Sequence, residues 1–185
     1  MKIGIDLGGS HIAIGVVNNE GKILEKVEKR LMTQEKKYIK ETIENYIIEH
    51  VKNLEKKYKI TNIGIAIPGT VTQKEVIKSV NLKLENYKIV DNLNKYIKYP
   101  IKIRNDAKCA AIAENKLGCL RKYSRSIFLS LGTGIGGAVI IDNKLLDTGS
   151  MPRMWIWTHD NRKRWKTMQL RKIWLFWKIC INESF

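Results

Sequence analysis

Three short segments hold the residue types that can do chemistry: Asp6-Leu7-Gly8-Gly9-Ser10, Asn105-Asp106, and Leu131-Gly132-Thr133-Gly134-Ile135-Gly136-Gly137. Glycines at a hairpin tip leave no Cβ between backbone amides and an anion, so the amides can converge on phosphate oxygens. Asp6, beside the first turn, is placed to hold a hydrated Mg²⁺ or to orient that loop. The second turn is richer, with four glycines and one hydroxyl between apolar flanks. That is more backbone freedom than a connection requires, and close approach of a phosphate-bearing ligand explains it. It is not a dinucleotide-binding fingerprint, because a strand rather than a helix follows, and it lacks the Gly-Lys-Ser/Thr end of a P-loop. Either turn, taken alone, also reads as a tight hairpin with packed glycines.

Asn105-Asp106 has two readings as well. Asx residues cap helices, which alone would justify Asp106. A carboxylate at the C-terminal end of a strand is also where open α/β sheets place reacting groups, and a hydroxyl attacking a phosphoryl group needs a nearby proton acceptor. Both can hold at once.

The elements that must carry these segments are legible from periodicity. Lys2 to Asp6 and Ile12 to Val17 predict two strands of a hairpin with its tip at Gly8-Gly9, and a third strand is predicted from Ile23 after the Asn19-Glu20-Gly21 turn. Between Glu35 and Tyr58 the positions Ile39, Ile43, Ile47, Val51, Leu54 and Tyr58 form the stripe of an amphipathic helix. Asn62 to Ile67 predicts a buried strand ended by Pro68-Gly69, and Ile101 to Ile103 another, followed by a small-residue helix from Ala107 to Leu117 stopped by Gly118. Ser126 to Leu131 and Ala138 to Ile141 repeat the opening strand-turn-strand device, a hint of internal duplication. Strands alternating with helices predict an α/β chain with a mixed sheet, one unit closing near residue 115 and another beginning near 120.

Composition narrows the partners. With 44% hydrophobic residues over 185 positions, the chain has enough apolar surface for a folded core. Asp6 interrupts the first apolar stretch, and the longest uncharged run, Ser126 to Ile141, is too short and glycine-rich to span a bilayer, so a cytoplasmic protein without a membrane partner is expected. Cys109, Cys119 and Cys180 lack metal-ligand or disulfide-framework spacing and are expected to be free thiols, with no metal site. The net charge of +16 raises the question of nucleic acid, but most of the surplus is lysine mixed with glutamate on helical faces, which reads as a solvated surface.

Taken as a set, Asp6-Leu7-Gly8-Gly9-Ser10, Pro68-Gly69, Asn81, Asn105-Asp106-Ala107 with Ala110-Ala111 and Glu114, and Leu131 to Gly137 resemble the ROK family of bacterial sugar kinases and repressors. The resemblance covers residues 1 to about 150. It implies an actin-like ATPase (ribonuclease H-like) α/β fold: an N-terminal domain over residues 1–117 and the first hairpin of a second domain over 118–150. With no helix-turn-helix ahead of Met1, the kinase branch is expected. By resemblance, Asp6, Gly8, Gly9 and Ser10 with Gly132, Thr133 and Gly134 would clamp the phosphates of ATP with Mg²⁺. Asp106 would be the catalytic base, and Gly69, Asn81 and Asn105 would contact a hexose such as glucose. The chain departs from the family at His11, where many members have Lys, and at Lys108, where the Asn-Asp-Ala-Asn pattern has its last Asn. His11 is expected to be a packing residue of the second strand, and Lys108 is placed to lower the pKa of Asp106. Two other readings compete: a non-catalytic sugar-binding regulator or basic-tailed nucleic-acid binder, and another actin-like ATPase of the acetate-kinase kind, which Pro68-Gly69 and the Asn-Asp-Ala segment argue against.

Residues 151–185 do not continue this pattern. All five tryptophans fall there, among eight Lys/Arg and two Asp/Glu, with no glycine. The family would continue with Gly-His and then Cys-x-Cys-Gly-x-x-Gly-Cys, the ligands of a structural zinc, and those are absent from this chain. Reading the codons one base later brings them back. Met154-Trp155 then forces Cys followed by Gly, Trp157-Thr158 forces Gly, and Thr158-His159 permits His. Met168-Gln169 forces Cys, Leu170-Arg171-Lys172 permits Cys then Gly, Trp174-Leu175 forces Gly, and Leu175-Phe176 permits Cys. A single-base frameshift near Ser150 to Arg153 is the expectation, with 151–185 an out-of-frame tail and no domain. A homodimer is then expected only for an intact chain.

Overall fold

The computed structural model describes residues 1–31, 38–131 and 135–146, all within one compact unit, Met1–Trp155. A five-stranded sheet forms its centre. β1 (Lys2–Leu7), β2 (His11–Val17) and β3 (Ile23–Arg30) are a meander, and β1 pairs in parallel with β4 (Asn62–Ile67), which pairs in parallel with β8 (Ile101–Asn105). Alternation decides which face is buried. Ile3, Ile5 and Leu7 point to one side of β1 while Lys2, Gly4 and Asp6 point to the other, and β4 repeats this with Ile63, Ile65 and Ile67.

The apolar face is covered by α1 (Ile39–Glu55) and α2 (Ile89–Asn94). The predicted stripe of α1 is the buried one: Ile39, Ile43, Ile47, Val51 and Leu54 all face the core. The helix stops at Glu55 rather than Tyr58, whose amide turns back to the Leu54 carbonyl and whose ring packs on the core's edge. The predicted first residues of this helix, 35–37, lie outside the described residues.

Between β4 and α2 the chain builds a small antiparallel sheet that periodicity did not reveal: β5 (Thr70–Val71), β6 (Val76–Ser79) and β7 (Leu84–Tyr87). Its strands are too short to show an alternation of their own. It is tied to α1 by a polar clasp, in which the Tyr87 hydroxyl and the Asn92 amide both donate to Glu44 Oε1, at 2.7 and 2.8 Å.

α3 (Asp106–Leu117) follows β8 without a gap and ends at Gly118, and a 3-10 turn, Cys119–Lys122, leads to the second sheet. That sheet is β9 (Ser126–Leu131), β10 (Ile135–Ile141) and β11 (Lys144–Leu145), all antiparallel. Asp142 and Asn143, both at positive φ, make the two-residue turn from β10 to β11. α3 packs under this sheet through Ala111 against Ala138 and Ile140. Gly136 serves the same packing, since a Cβ there would lie 2.8 Å from the Ala107 methyl.

Candidate active site

Parallel strands end on the same edge of a sheet. The ends of β1, β4 and β8 therefore bring Gly8-Gly9, Gly69 and Asn105-Asp106 to one rim, although they lie up to about 100 residues apart in the chain.

The first loop is closed by the Gly8 amide donating to the His11 carbonyl at 2.9 Å. Ser10 is exposed at its tip, and its carbonyl accepts from the Leu31 amide. A Cβ at Gly8 would come within 2.7 Å of the His11 ring, and one at Gly9 would touch Asn81 Cβ at 3.3 Å. Thus the glycines admit two neighbours at once, and the contact at Gly9 joins the proposed phosphate loop to the proposed sugar loop. His11 is not the packing residue that the sequence suggests. Its ring stands half exposed at the loop mouth, with Nε2 3.6 Å from Asp6 Oδ2. In the alternation of β2 it takes the face opposite the buried Ile12, Ile14 and Val16, the face that Asp6 of β1 also takes.

Asn105 and Asp106 divide two duties. Asn105 is the N-cap: its Oδ1 accepts from the Lys108 amide at 3.2 Å and its Nδ2 donates to the Gly69 carbonyl at 3.1 Å. It therefore fixes both the start of α3 and the turn after β4. Gly69 needs that turn, with φ at +112° and no room for a Cβ against the Lys78 carbonyl oxygen. Asp106 is the first helical residue, its Oδ1 accepting from the Ala107 amide at 2.8 Å. Burial is the main cause holding its carboxyl above the ordinary aspartate value; the Asp6 charge adds to this, while the Ala107 amide and Asn105 oppose it. The sequence suggests a lowering by Lys108, but the carboxyl stands above its ordinary value because burial dominates. Nearby Cys109 is pushed up to about 11 by burial, so its thiol is protonated and inert near neutral pH.

Gly132, Thr133 and Gly134 lie outside the described residues. The described strands bracket them, since Leu131 pairs with Ile135 and leaves those three between. Glu114 is structural: its Oε2 accepts from the Cys119 amide at 3.0 Å. Sequence reasoning missed Ser79, whose buried hydroxyl has no hydrogen-bond partner among the described residues and whose Cα would crowd a Cβ at Gly69 at 2.9 Å. A serine closing a strand carries no signal of that kind. Among the described residues, no three His, Cys, Asp or Glu gather to hold a metal, so a magnesium ion here would rely on Asp6, water and the phosphates it accompanies. Among the described residues, no helix is long and apolar enough to cross a membrane.

With this geometry in view, the sequence profile described as the ROK family matches residues 2–151. The chain belongs to the ROK family. A glucokinase of Streptomyces coelicolor is 32% identical over 147 residues, which are 78% of this chain and 45% of the relative. A xylose repressor of Caldicellulosiruptor bescii is 33% identical over 147 residues, 77% of this chain and 37% of the relative. Among solved structures, a ROK family glucokinase from Streptomyces griseus, in complex with glucose and AMPPNP, superposes with a TM-score of 0.71 at 29% identity. It covers 81% of this chain, and 47% of its own length is matched. The actin-like α/β fold is thereby established for the ROK part, and the chain spans about half the length, or less, of these relatives.

Proposed function

We propose that residues 1–150 are the sugar- and phosphate-binding half of an ATP-dependent hexose kinase, with residues 1–117 as the N-terminal domain and 118–150 as the opening of the second. The observation that carries this is the convergence of Gly8-Gly9, Gly69, Asn81 and Asn105-Asp106 on one rim of the sheet. In the reaction a sugar hydroxyl oxygen attacks the γ-phosphorus, a new O–P bond forms, the bond to the β-phosphate oxygen breaks, and ADP leaves. Asp106 takes the hydroxyl proton. A carboxylate raised by burial binds a proton more readily than an ordinary aspartate, which suits that role. The amides of Gly9 and Ser10 are assigned to the transferring phosphates from one side, with Gly8 keeping the loop closed through the His11 carbonyl and leaving room for the close approach, and Gly132, Thr133 and Gly134 are assigned to the other. Asp6 would hold a hydrated magnesium ion, which when bound would supply positive charge to the phosphates. Asn81 and the Gly69 turn read the sugar. Asn105 positions Gly69 and Asp106 through one N–H and its oxygen, and its second N–H is assigned to the sugar.

We further propose that residues 151–185 are an out-of-frame reading, and that the 185-residue chain does not turn over. Phosphoryl transfer needs two domains to close and exclude water, and the second is only begun in the residues that match the family. Resequencing codons 145–160 tests the frame: one base gained or lost restores the Cys-x-Cys-Gly motif, and an unchanged frame removes the idea of a sequencing error. Coupled assay of ADP release with glucose tests the activity. We expect no turnover from the 185-residue chain, turnover from the frame-restored chain, and a loss of about 10²–10⁴-fold on Asp106→Asn in the latter. Full activity of that variant refutes the assignment of the base.

A regulator is the second reading, favoured by the similarity to the xylose repressor. Glucose binding without phosphorylation by the frame-restored chain would select it.

A further inference from the structure

His11 stands on the rim of the site, yet the proposed reaction leaves it without a duty. It opens β2, is joined to Gly8 across the hairpin, and holds its Nε2 3.6 Å from Asp6 Oδ2. The ring turns both nitrogens towards the loop: a Cβ at Gly8 would meet Cε1 at 2.7 Å, Nδ1 at 2.9 Å and Nε2 at 3.3 Å. Only a glycine lets that edge of the ring lie so close to the loop backbone. The side chains of His11 and Asp6 are 40% and 56% exposed, so an ion arriving with a ligand can reach both.

We infer that Asp6 and His11 together grip the divalent ion that accompanies the phosphates, one through oxygen and one through nitrogen, and that this chain therefore prefers a first-row transition ion such as Co²⁺ to Mg²⁺ there. The inference rests on the reading of Gly8-Gly9-Ser10 as a phosphate loop and deepens it. Spacing permits the grip. Two ligand atoms about 2.0–2.2 Å from a shared ion lie about 2.8–3.6 Å apart, from octahedral to tetrahedral placement. The pair, at 3.6 Å, stands at the wide end of that range, away from the octahedral spacing that Mg²⁺ demands. Ligand type then sets the preference. Mg²⁺ is a hard ion that keeps oxygen ligands and gives up water reluctantly, so it gains little from an imidazole. Transition ions gain from a ring nitrogen, and increasingly so from Mn²⁺ through Co²⁺ to Ni²⁺. No third His, Cys, Asp or Glu joins the pair among the described residues, so the other positions on the ion fall to phosphate oxygens and water. The alternative for the same distance is an ion pair between a protonated His11 and Asp6, which would leave every ligand of the ion an oxygen.

The test is titration of the purified 185-residue chain with tripolyphosphate carrying either Co²⁺ or Mg²⁺, read by calorimetry and proton NMR. Tripolyphosphate has the phosphates of ATP and no nitrogen of its own. The Co²⁺ complex is expected to bind about tenfold or more tightly than the Mg²⁺ complex, and to move the ring protons of one histidine far outside their ordinary range. His11→Gln should abolish those shifted signals and bring the two complexes to similar affinity, with the circular dichroism unchanged. Signals that persist in His11→Gln would belong to another of the three histidines and overturn the inference. Binding of both complexes with equal strength by the wild type would also overturn it, while leaving the phosphate loop standing. Binding of neither complex would overturn the phosphate loop and the inference together.

Discussion

At the scale of single residues, Asp106 shows how a site's chemistry is taken out of stability. Its carboxyl is held above the ordinary aspartate value chiefly by burial, so the folded chain binds that proton more tightly than the unfolded one. Stability from this group is therefore complete below the unfolded value near 3.8 and is lost as pH rises through the raised value. At neutral pH the ionised carboxylate is a net cost. Asp106→Asn is accordingly expected to be more stable than the wild type at pH 7, with the difference shrinking towards pH 4, as read by urea unfolding at each pH. A variant less stable throughout would mean that the Ala107 amide bond outweighs burial. Gly69 is the opposite case: Gly69→Ala has to hold a positive φ, at about 1–3 kcal/mol, and to displace the Lys78 carbonyl. Thermal unfolding should show a lower Tm, and glucose binding should weaken with it. The carboxylate at a strand end was legible from residue type and position. The place of His11 beside Asp6 follows from strand alternation, which sets both opposite the buried Ile12, Ile14 and Val16, whereas the approach of its ring to Gly8 depends on the loop's own path and leaves no period to read.

Among the elements, long ones announced themselves and short ones did not. The stripe of α1 repeats through four turns, and each of its five core positions is buried. β1, β2 and β4 alternate over six or seven residues, long enough for one face to declare itself. β5, β6 and β7 hold two to four residues each, too few for a period, and are ordered by what they pack against. Val76, Leu84 and Tyr87 enter the main core, and Glu44 on α1 accepts from both Tyr87 and Asn92. Two variants of α1 should separate these supports. Ile47→Ala leaves a cavity in the centre of the core and is expected to cost about 2–5 kcal/mol in urea unfolding. Glu44→Ala strands the buried Tyr87 hydroxyl and should cost about 1–3 kcal/mol. Adding Tyr87→Phe to it should recover part of that loss, since the orphaned hydroxyl is then gone. Simple additivity would mean that the clasp is not coupled.

The whole molecule is a set of motifs that agree with one another up to residue 150 and a tail that agrees with none of them. In a foldable sequence local pattern and global fold support each other, and a stretch read out of frame has never been selected for that consistency. The contrast is visible across one strand: β9 is well patterned, with Phe128 towards α3 and Ile127, Leu129 and Leu131 on the other side, and no described residue buries that other side. A patterned face implies a cover, and a sheet with an apolar face is stable only when a second layer buries it. If the shifted frame is the true one, the frame-restored polypeptide supplies that layer. Restoring the frame is then expected to do two separable things: confer glucose phosphorylation, and protect β9. Amide exchange over Ser126–Leu131 should slow in parallel, since opening β9 would then require opening the completed sheet. Activity without protection of β9 would place the added polypeptide elsewhere, and protection without activity would leave the fold completed and the assignment of Asp106 in question.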